Sequence, residues 1–315
     1  MESIWKTIIE TLEQDNPVVL AVVIAHKGSS PGKKGFKMAV SSKGVLSGSV
    51  GGGSMEYGMI KKAIKGLSEG LTNPVLFQMD HLHQESAKRS GLICSGTQWV
   101  AFYLLKSNDL PLIRSIYQLE KYEKEDTLLF NEKGIFIKKR VEKTDQITLS
   151  DKRWLLTENP GKKNTVYVFG GGHVSLALSK LLKTLDFKIK VFENRQDLST
   201  FKKNRYADEK KVIHYEEAGS FVPEGEHVYV VIMTYAHQYD LLVIKQMLSK
   251  KVKYLGMMGS ANKVRSVKEQ LAMEGQKTDD FNKKVHAPIG LSIKSITPAE
   301  IAVSIAAELI AVKNG

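Results

Sequence analysis

The sequence predicts an α/β chain, with a doubly wound parallel sheet in the C-terminal half and a smaller α+β domain before it. Three observations predict this. From Thr165 onward, apolar strand-like runs alternate with helix-length segments, the order that builds parallel β-α-β units. Before about residue 106 the runs are short and turn-linked, with isolated helical segments among them. Each half also carries a glycine-rich segment where a strand gives way to a helix: Gly48-Ser49-Val50-Gly51-Gly52-Gly53-Ser54-Met55-Glu56 and Val166-Tyr167-Val168-Phe169-Gly170-Gly171-Gly172-His173-Val174-Ser175-Leu176-Ala177. Such a turn lets backbone N–H groups approach an anionic group at a helix N-terminus.

In chain order, residues 2–14 place Ile4, Ile8, Ile9 and Leu12 at helical spacing. Val18 to Ala25 is a buried-type strand, and His26 to Gly32 a loop by its turn chemistry. Phe36–Val40 and Val45–Val50 pair across Ser42-Lys43-Gly44; a helix follows from about Met55 to Gly66, ended by Asn73-Pro74. Val75–Met79 and Trp99–Leu105 are further strands. A charged connecting region, 107–163, holds a helix from Leu110 to Tyr122 and a hairpin, 127–130 with 135–137, around Asn131-Glu132-Lys133-Gly134. The breaker-rich stretch Asn159 to Asn164 closes it, giving domains at 1–106 and 164–315. In the second domain, strands are predicted at 165–169, 188–192, 212–214, 227–233 and 254–256, and helices at 174–185, 241–248 and from Asn262.

Composition bounds the function classes. The 315 residues, 42% hydrophobic, suffice for two domains with real cores. No apolar run approaches the roughly 18 residues of a membrane span. Met1 to Lys6 lacks the basic region and apolar stretch of a secretory signal, so a cytoplasmic location is expected. The net charge of +12 is spread over scattered lysines, which argues for solubility, a small polyanion or an acidic partner, and against nucleic acid. Cys94 is the one cysteine, so no intrachain disulfide forms and a zinc site has at most one thiolate.

The candidate site residues follow from position. Gly170, Gly171 and Gly172 make the second turn, and His173 opens its helix. With Ser175 and Ala177 the spacing is G-x-G-x-x-x-A rather than G-x-G-x-x-G. Glu193 closes the next strand about 20 residues on, where an acidic residue meets a ribose 2′-hydroxyl; it is otherwise a solvated strand end. Arg195 stands ready for a phosphate instead. His237 and Asp240, three apart after the fourth strand, can pair on one helical turn, or be a surface histidine and a helix-start acid. Gly256, Gly259 and Ser260 form a compact turn after the fifth strand, with Ser260 placed to cap the next helix. In the first domain, Ser49, Gly51, Gly52, Gly53, Ser54 and Glu56 make the other cradle, where Glu56 also complements the helix dipole. Cys94 lies between glycines ahead of a strand; it is either a small buried hydrophobe or an accessible thiol able to ligate a soft metal. His81 and His83 lack a third ligand at metal-site spacing.

Several of these motifs together resemble the XdhC/CoxI family. Gly48 to Glu56 is similar to its GSVGGGCLE signature, and Gly28-Ser29-Ser30-Pro31-Gly32 to its GS(A/S)PR turn. Gly91 to Gly96 resembles GxxCGG, Gly170 to Val174 resembles G(A/G)GHV, and Tyr254 to Ser260 resembles YIGxxGS. Val285 to Leu291 and Thr297 to Ala302 resemble HAPxGLxI and TPxEIAxSI. The resemblance, in order from about residue 18 to 310, implies a Rossmann-like C-terminal domain. It implies an accessory protein that binds the molybdenum cofactor, protects it during sulfuration and inserts it into an apo-xanthine dehydrogenase or a related molybdenum hydroxylase. A cysteine desulfurase is an implied further partner, and a homodimer the implied assembly. Cys94 becomes the implied metal ligand. Ser54 and Ser95 depart from the pattern, Ser54 standing where the family often has cysteine; its hydroxyl can still hydrogen-bond an oxo group. The alternative reading is an NAD(P)-dependent oxidoreductase using Glu193, although a Tyr-x-x-x-Lys pair after the fourth strand is missing.

Overall fold

The computed structural model describes residues 3–71, 74–80, 96–139, 147–150, 153–275 and 278–315. The chain divides into two compact units, Met1–Lys162 and Lys163–Gly315.

In the first unit, β1 (Val18–Gly28), β2 (Lys37–Ser41), β3 (Gly44–Gly48), β4 (Val75–Asp80) and β5 (Gly96–Leu105) form an antiparallel sheet of order β3-β2-β1-β5-β4. Its central strand reads as continuous apolar sequence because both faces are covered. Val18, Leu20, Val22 and Ile24 point into one core, with Trp5, Ile8 and Leu12 of α1 (Ile4–Leu12). Val19, Ala21 and Val23 point into another, with Met59 and Ala63 of α2 (Gly53–Glu69). The two-residue alternation of a strand makes this division.

The segment set apart as a connecting region, 107–163, joins this unit up to Lys162. Helix α3 (Leu110–Lys121) packs on α1, and a second antiparallel sheet forms from β6 (Thr127–Asn131), β7 (Gly134–Lys138), β8 (Ile147–Leu149) and β9 (Trp154–Glu158), in order β7-β6-β9-β8. Ile113, Ile116, Leu128, Phe130, Trp154 and Leu156 complete the core that α1 begins. Its charged composition hid a fully buried apolar set, spaced for one helix face and alternate strand positions.

The second unit is a parallel six-stranded sheet of order β12-β11-β10-β13-β14-β15. The strands are β10 (Thr165–Phe169), β11 (Lys188–Glu193), β12 (Glu209–Val212), β13 (Gly225–Ile232), β14 (Val252–Met257) and β15 (Val285–His286). Helices α4 (His173–Thr184) and α9 (Pro298–Asn314) cover one face through Val166, Val168, Leu178, Leu182, Ile305 and Leu309. Helices α6 (His237–Met247), α7 (Ala261–Met273) and α8 (Thr278–Lys284), with a 3₁₀ turn at Tyr215–Phe221, cover the other through Tyr167, Phe169, Ile244, Val267 and Phe281. The short α5 (Ser199–Lys203) precedes β12. The third strand lies at Glu209–Val212, earlier than the apolar Val212-Ile213-His214 suggested, because Ile213 turns inward at the strand end to join the core. Strand order reverses between β10 and β13, the switch point where doubly wound sheets open a crevice.

Candidate functional site

The first glycine turn is a cradle that the chain fills itself. Gly48, Gly51, Gly52 and Gly53 have φ of 82°, 133°, 76° and 69°, a run that side-chain-bearing residues rarely adopt. A Cβ on Gly51 would stand 2.5 Å from the Gly32 backbone nitrogen, so this turn packs directly on the Pro31-Gly32 turn. Gln98 ties the two together: its amide donates to Val50 O at 2.8 Å and its oxygen accepts from Ser30 Oγ at 2.9 Å. Glu56, in the first turn of α2, reaches back into the cradle. Its Oε2 accepts from Ser49 Oγ (2.5 Å), Val50 N (2.8 Å) and Gly52 N (3.0 Å). Burial pushes this carboxyl up, but the Ser49 hydroxyl and the backbone N–H groups outweigh it and hold the pKa below the ordinary carboxylate value. Ser54 is exposed on the same helical turn. Cys94, His81 and His83 lie outside the described residues; among the described residues no cluster of three or more His, Cys, Asp or Glu is placed to hold a metal ion.

The second turn sits at the switch point. Gly170 has φ of 113°, and a Cβ there would come within 2.3 Å of Met233 O, so glycine is required where β10 and β13 meet. Gly171 packs against Phe201, and Thr200 Oγ1 donates to its carbonyl at 2.6 Å. Gly172 faces open space and begins α4, whose first residue, His173, is exposed.

Glu193 sits where the sequence placed it, at the end of β11, but does not face outward to a ribose. Its side chain is fully buried. Oε2 accepts from Gly171 N (2.8 Å) and Arg195 Nη2 (3.0 Å); Oε1 accepts from Asn194 N (3.0 Å), Arg195 N (3.2 Å) and Arg195 Nε (3.0 Å). Burial raises its pKa, but Arg195 and the Gly171 N–H more than offset that and leave it below the ordinary value. Both glycine turns therefore hold an internal glutamate, and a dinucleotide reading loses its ribose contact. Arg195 is pinned by the same bonds, its guanidinium 4.1 Å from the Tyr235 ring centroid.

The suggested His237–Asp240 pair does not form. His237 is exposed at the start of α6, whereas Asp240 is buried. Asp240 Oδ1 accepts from Thr234 N (3.0 Å) and Thr234 Oγ1 (2.6 Å), and Oδ2 is ion-paired with Lys263 of α7. The buried carboxylate takes the cation that compensates it and leaves the histidine to solvent. Ser260 caps α7 by accepting from Lys263 N at 3.3 Å. Gly256 admits the Tyr254 ring and Ile289 where a Cβ would clash at 2.6 Å, and Gly259 lies under the Lys263 stem.

Around this crevice stand groups that the sequence did not single out as a set. Tyr235, Tyr239 and Tyr215 form a ladder, with centroids 5.1 Å apart in the first pair and 5.6 Å in the second. Arg195 covers its outer end. Beside it, Asn194 Oδ1 and Tyr215 OH are buried with no hydrogen bond of ordinary geometry among the described residues; the Asn194 backbone N–H lies near the Tyr215 oxygen and its side chain near Tyr235 in looser contacts. Burial and the nearby Glu193 charge keep the Tyr215 phenol protonated far above its ordinary range. Orphaned buried polar atoms of this kind mark places where a ligand or water completes the structure. A second unforeseen network joins two of the sequence motifs through α9. Glu308 of α9 accepts from Tyr254 OH (2.5 Å) and Gly290 N (2.7 Å) and pairs with His286 Nδ1 (2.9 Å), while the His286 ring lies 4.6 Å from that of Tyr254. These partners lie 18, 22 and 54 residues from Glu308, so only the fold reveals them.

Among the described residues no helix is long and apolar enough to cross a membrane. Comparison with known proteins gives two family models. One, described as the XdhC Rossmann domain, matches residues 166–309; the other, the XdhC and CoxI family, matches residues 11–78. A Bacillus subtilis (strain 168) protein, named as a probable subunit of xanthine dehydrogenase, is 24% identical over 319 residues, covering 95% of this chain and 94% of that protein. Escherichia coli (strain K12) YqeB, an uncharacterized protein, is 23% identical over 309 residues; the match takes in 96% of this chain but 44% of YqeB, so the chain spans less than half the length of that relative. The crystal structure of a xanthine dehydrogenase from Bacillus halodurans shares the fold, with a TM-score of 0.73 at 24% identity over 98% of this chain and 96% of that one. With one model matched on each unit, in chain order, the chain belongs to the XdhC and CoxI family.

Proposed function

We propose that the chain is an accessory protein that holds the molybdenum cofactor, shields it during sulfuration and hands it to an apo-enzyme of xanthine dehydrogenase type. Family membership supports the accessory role, and the names of the Bacillus relatives support the class of client. The observation that carries the reading is the crevice of the second unit, where Asn194 Oδ1 and Tyr215 OH are buried with no hydrogen bond of ordinary geometry among the described residues, beside the cluster of Arg195 with the tilted Tyr235 and Tyr239 rings. An acceptor, a donor and an exposed Tyr235 ring carrying the Arg195 guanidinium suit a heterocycle with N–H and C=O edges. When bound, the cofactor supplies a pterin dithiolene that carries the metal and its sulfido ligand. The chain's own part is to position and screen: Asn194 accepts from the ring, Tyr215 donates to it, and the tyrosines exclude water from its face. The family resemblance assigns a thiol, Cys94, and a hydroxyl, Ser54, to the metal; both belong to the first unit's sequence and their part is tested by substitution. A cysteine desulfurase as sulfur source, a homodimeric carrier and a cytoplasmic setting belong to the same proposal.

The test is an anaerobic titration of the purified chain with isolated molybdenum cofactor, beside NAD(H), NADP(H) and free nucleotides. Bound pterin is read by fluorescence after acid and iodine oxidation. Stoichiometric retention, weakened in Tyr235→Ala and Cys94→Ala, is the expected result. No retention combined with saturable NADH binding and hydride transfer to a small carbonyl would overturn the carrier reading in favour of an oxidoreductase.

A further inference from the structure

The segment that joins β15 to α9, residues 287–297, is built the reverse way from an ordinary surface loop. Its backbone is tied inward. Ile289 N donates to Met257 O (3.0 Å), Gly290 N to Glu308 Oε2 (2.7 Å) and Leu291 N to Ser304 O (3.2 Å), and Ser304 Oγ donates back to Leu291 O (2.6 Å). Its large aliphatic side chains stand outward. Leu291 is 44% exposed, Ile293 48% and Ile296 84%, and Val303, next to Ser304 on α9, is 50% exposed. A hydrophobic residue just before a helix cap ordinarily folds onto the residue five positions on. Ile296 holds that place before the Thr297 cap, yet it stays in solvent while Ile301 packs on the core.

The same bonds keep these side chains together. Leu291 is held against Ser304, and Ile296 N and Thr297 N both donate to Glu300 Oε2, at 2.8 and 3.0 Å, one helical turn before Val303. The four side chains expose roughly 400 Å², the size of patch that marks an interaction site. A standard interface takes about 800 Å² from each partner, so the strip has the size of an apolar centre with a polar rim around it.

Two features select the partner. The chain carries +12, which opposes self-association over most of its surface, but residues 290–303 hold one cation, Lys294, and one anion, Glu300. A neutral face with one charge of each sign is self-complementary, since across a two-fold axis Lys294 of each copy can meet Glu300 of the other. A knob and a hole also lie side by side. Directly after Ile296, Pro298 and Ala299 join Leu176 and Ala177 of α4 in lining a groove of about 510 Å³ whose surface is mostly apolar. A protruding aliphatic side chain beside an apolar groove packs reciprocally when two copies meet face to face.

We propose that the strip of Leu291, Ile293, Ile296 and Val303 is the centre of a two-fold interface between two copies of this chain, with Ile296 of each copy seated in the groove between α4 and α9 of the other. This gives the homodimer of the proposed function its surface, and it rests on that part of the reading, not on cofactor binding.

Sedimentation velocity of the full chain, free of cofactor, across micromolar concentrations tests it. Twice the chain mass is expected. Ile296→Lys and Leu291→Lys are each expected to raise the dissociation constant about thirtyfold or more, and Lys294→Glu to raise it less. Tyr235→Ala, in the crevice, should leave the dimer intact. Far-ultraviolet circular dichroism establishes that the variants fold, and Ile296 has little packing to lose. A monomer at every concentration, or a dimer indifferent to both Ile296→Lys and Leu291→Lys, would overturn the proposal. So would a monomer that binds an apo-hydroxylase only while Ile296 is native, which gives the strip to the client. Pterin retention by the same variants is measured separately, so loss of the interface and loss of the carrier reading are told apart.

Discussion

Replacing Glu193 with glutamine separates an architectural glutamate from a ligand-binding one. The native carboxylate accepts five N–H bonds, from Gly171, Asn194 and Arg195. A glutamine keeps one acceptor oxygen and turns an NH₂ toward donors on the other side. In its better orientation the NH₂ takes the place of Oε2 and meets Gly171 N–H and Arg195 Nη2, so two accepted bonds become donor–donor contacts. Hydrogen bonds to a charged group contribute about 1.5–3 kcal/mol each, and the site is buried, so the expected loss is about 3 kcal/mol after relaxation. For a unit of roughly 150 residues that lowers Tm by about 6–12 °C. Calorimetry on the ligand-free protein should show this in the transition of the second unit alone. Arg195→Met is the comparison: it removes the guanidinium and leaves a buried carboxylate on three backbone donors, so it too should cost about 3 kcal/mol, and adding Glu193→Gln should recover part of that loss. A Glu193→Gln variant that melts within about 2 °C of wild type would refute the claim that this carboxylate organises the turn.

Three further outcomes follow from the same crevice. Gly170→Ala should cost about 3 kcal/mol or more, since its φ is 113° and a Cβ would meet Met233 O at 2.3 Å, whereas Gly172→Ala, facing open space, should cost under about 1 kcal/mol; thermal melts of both decide it. Lys263→Met should destabilise by about 3 kcal/mol in urea by leaving buried Asp240 without its cation, and adding Asp240→Asn should recover part of that loss. Because the folded-state pKa of Glu193 lies below its ordinary value, its contribution is present above the ordinary carboxylate range and disappears as pH falls through the lowered pKa; the acid limb of Tm against pH should therefore be shallower in Glu193→Gln than in wild type.

What was legible in the sequence was local. The run from Thr165 to Phe169, its glycine turn and the helix after it carry their periods within a few residues, and Ser260 announces a cap that the structure contains. Positions held where they depended on chain distance, as with Glu193 at the end of β11; orientations did not, because Arg195, two residues on, turns that carboxylate inward. His237 and Asp240 failed as a pair for a similar reason, since Lys263 arrives from another helix and outcompetes the imidazole. The tyrosine ladder and the Tyr254–Glu308–His286 network join residues from separate elements, and no local pattern signals them. The stretch 107–162 was obscured by its charge, although Ile113, Ile116, Leu128 and Phe130 already had the spacing of buried faces.

The glutamates lodged in the two glycine turns also decide what the protein ignores. An empty ring of backbone N–H groups is an indiscriminate trap, and in a cell it would be contested by every abundant phosphate and nucleoside triphosphate. With Glu56 and Glu193 already seated, those competitors meet a negative charge instead of a vacancy. On the proposed carrier reading, the crevice would then discriminate by closing the commonest anion site in advance rather than by tightening the grip on the right molecule.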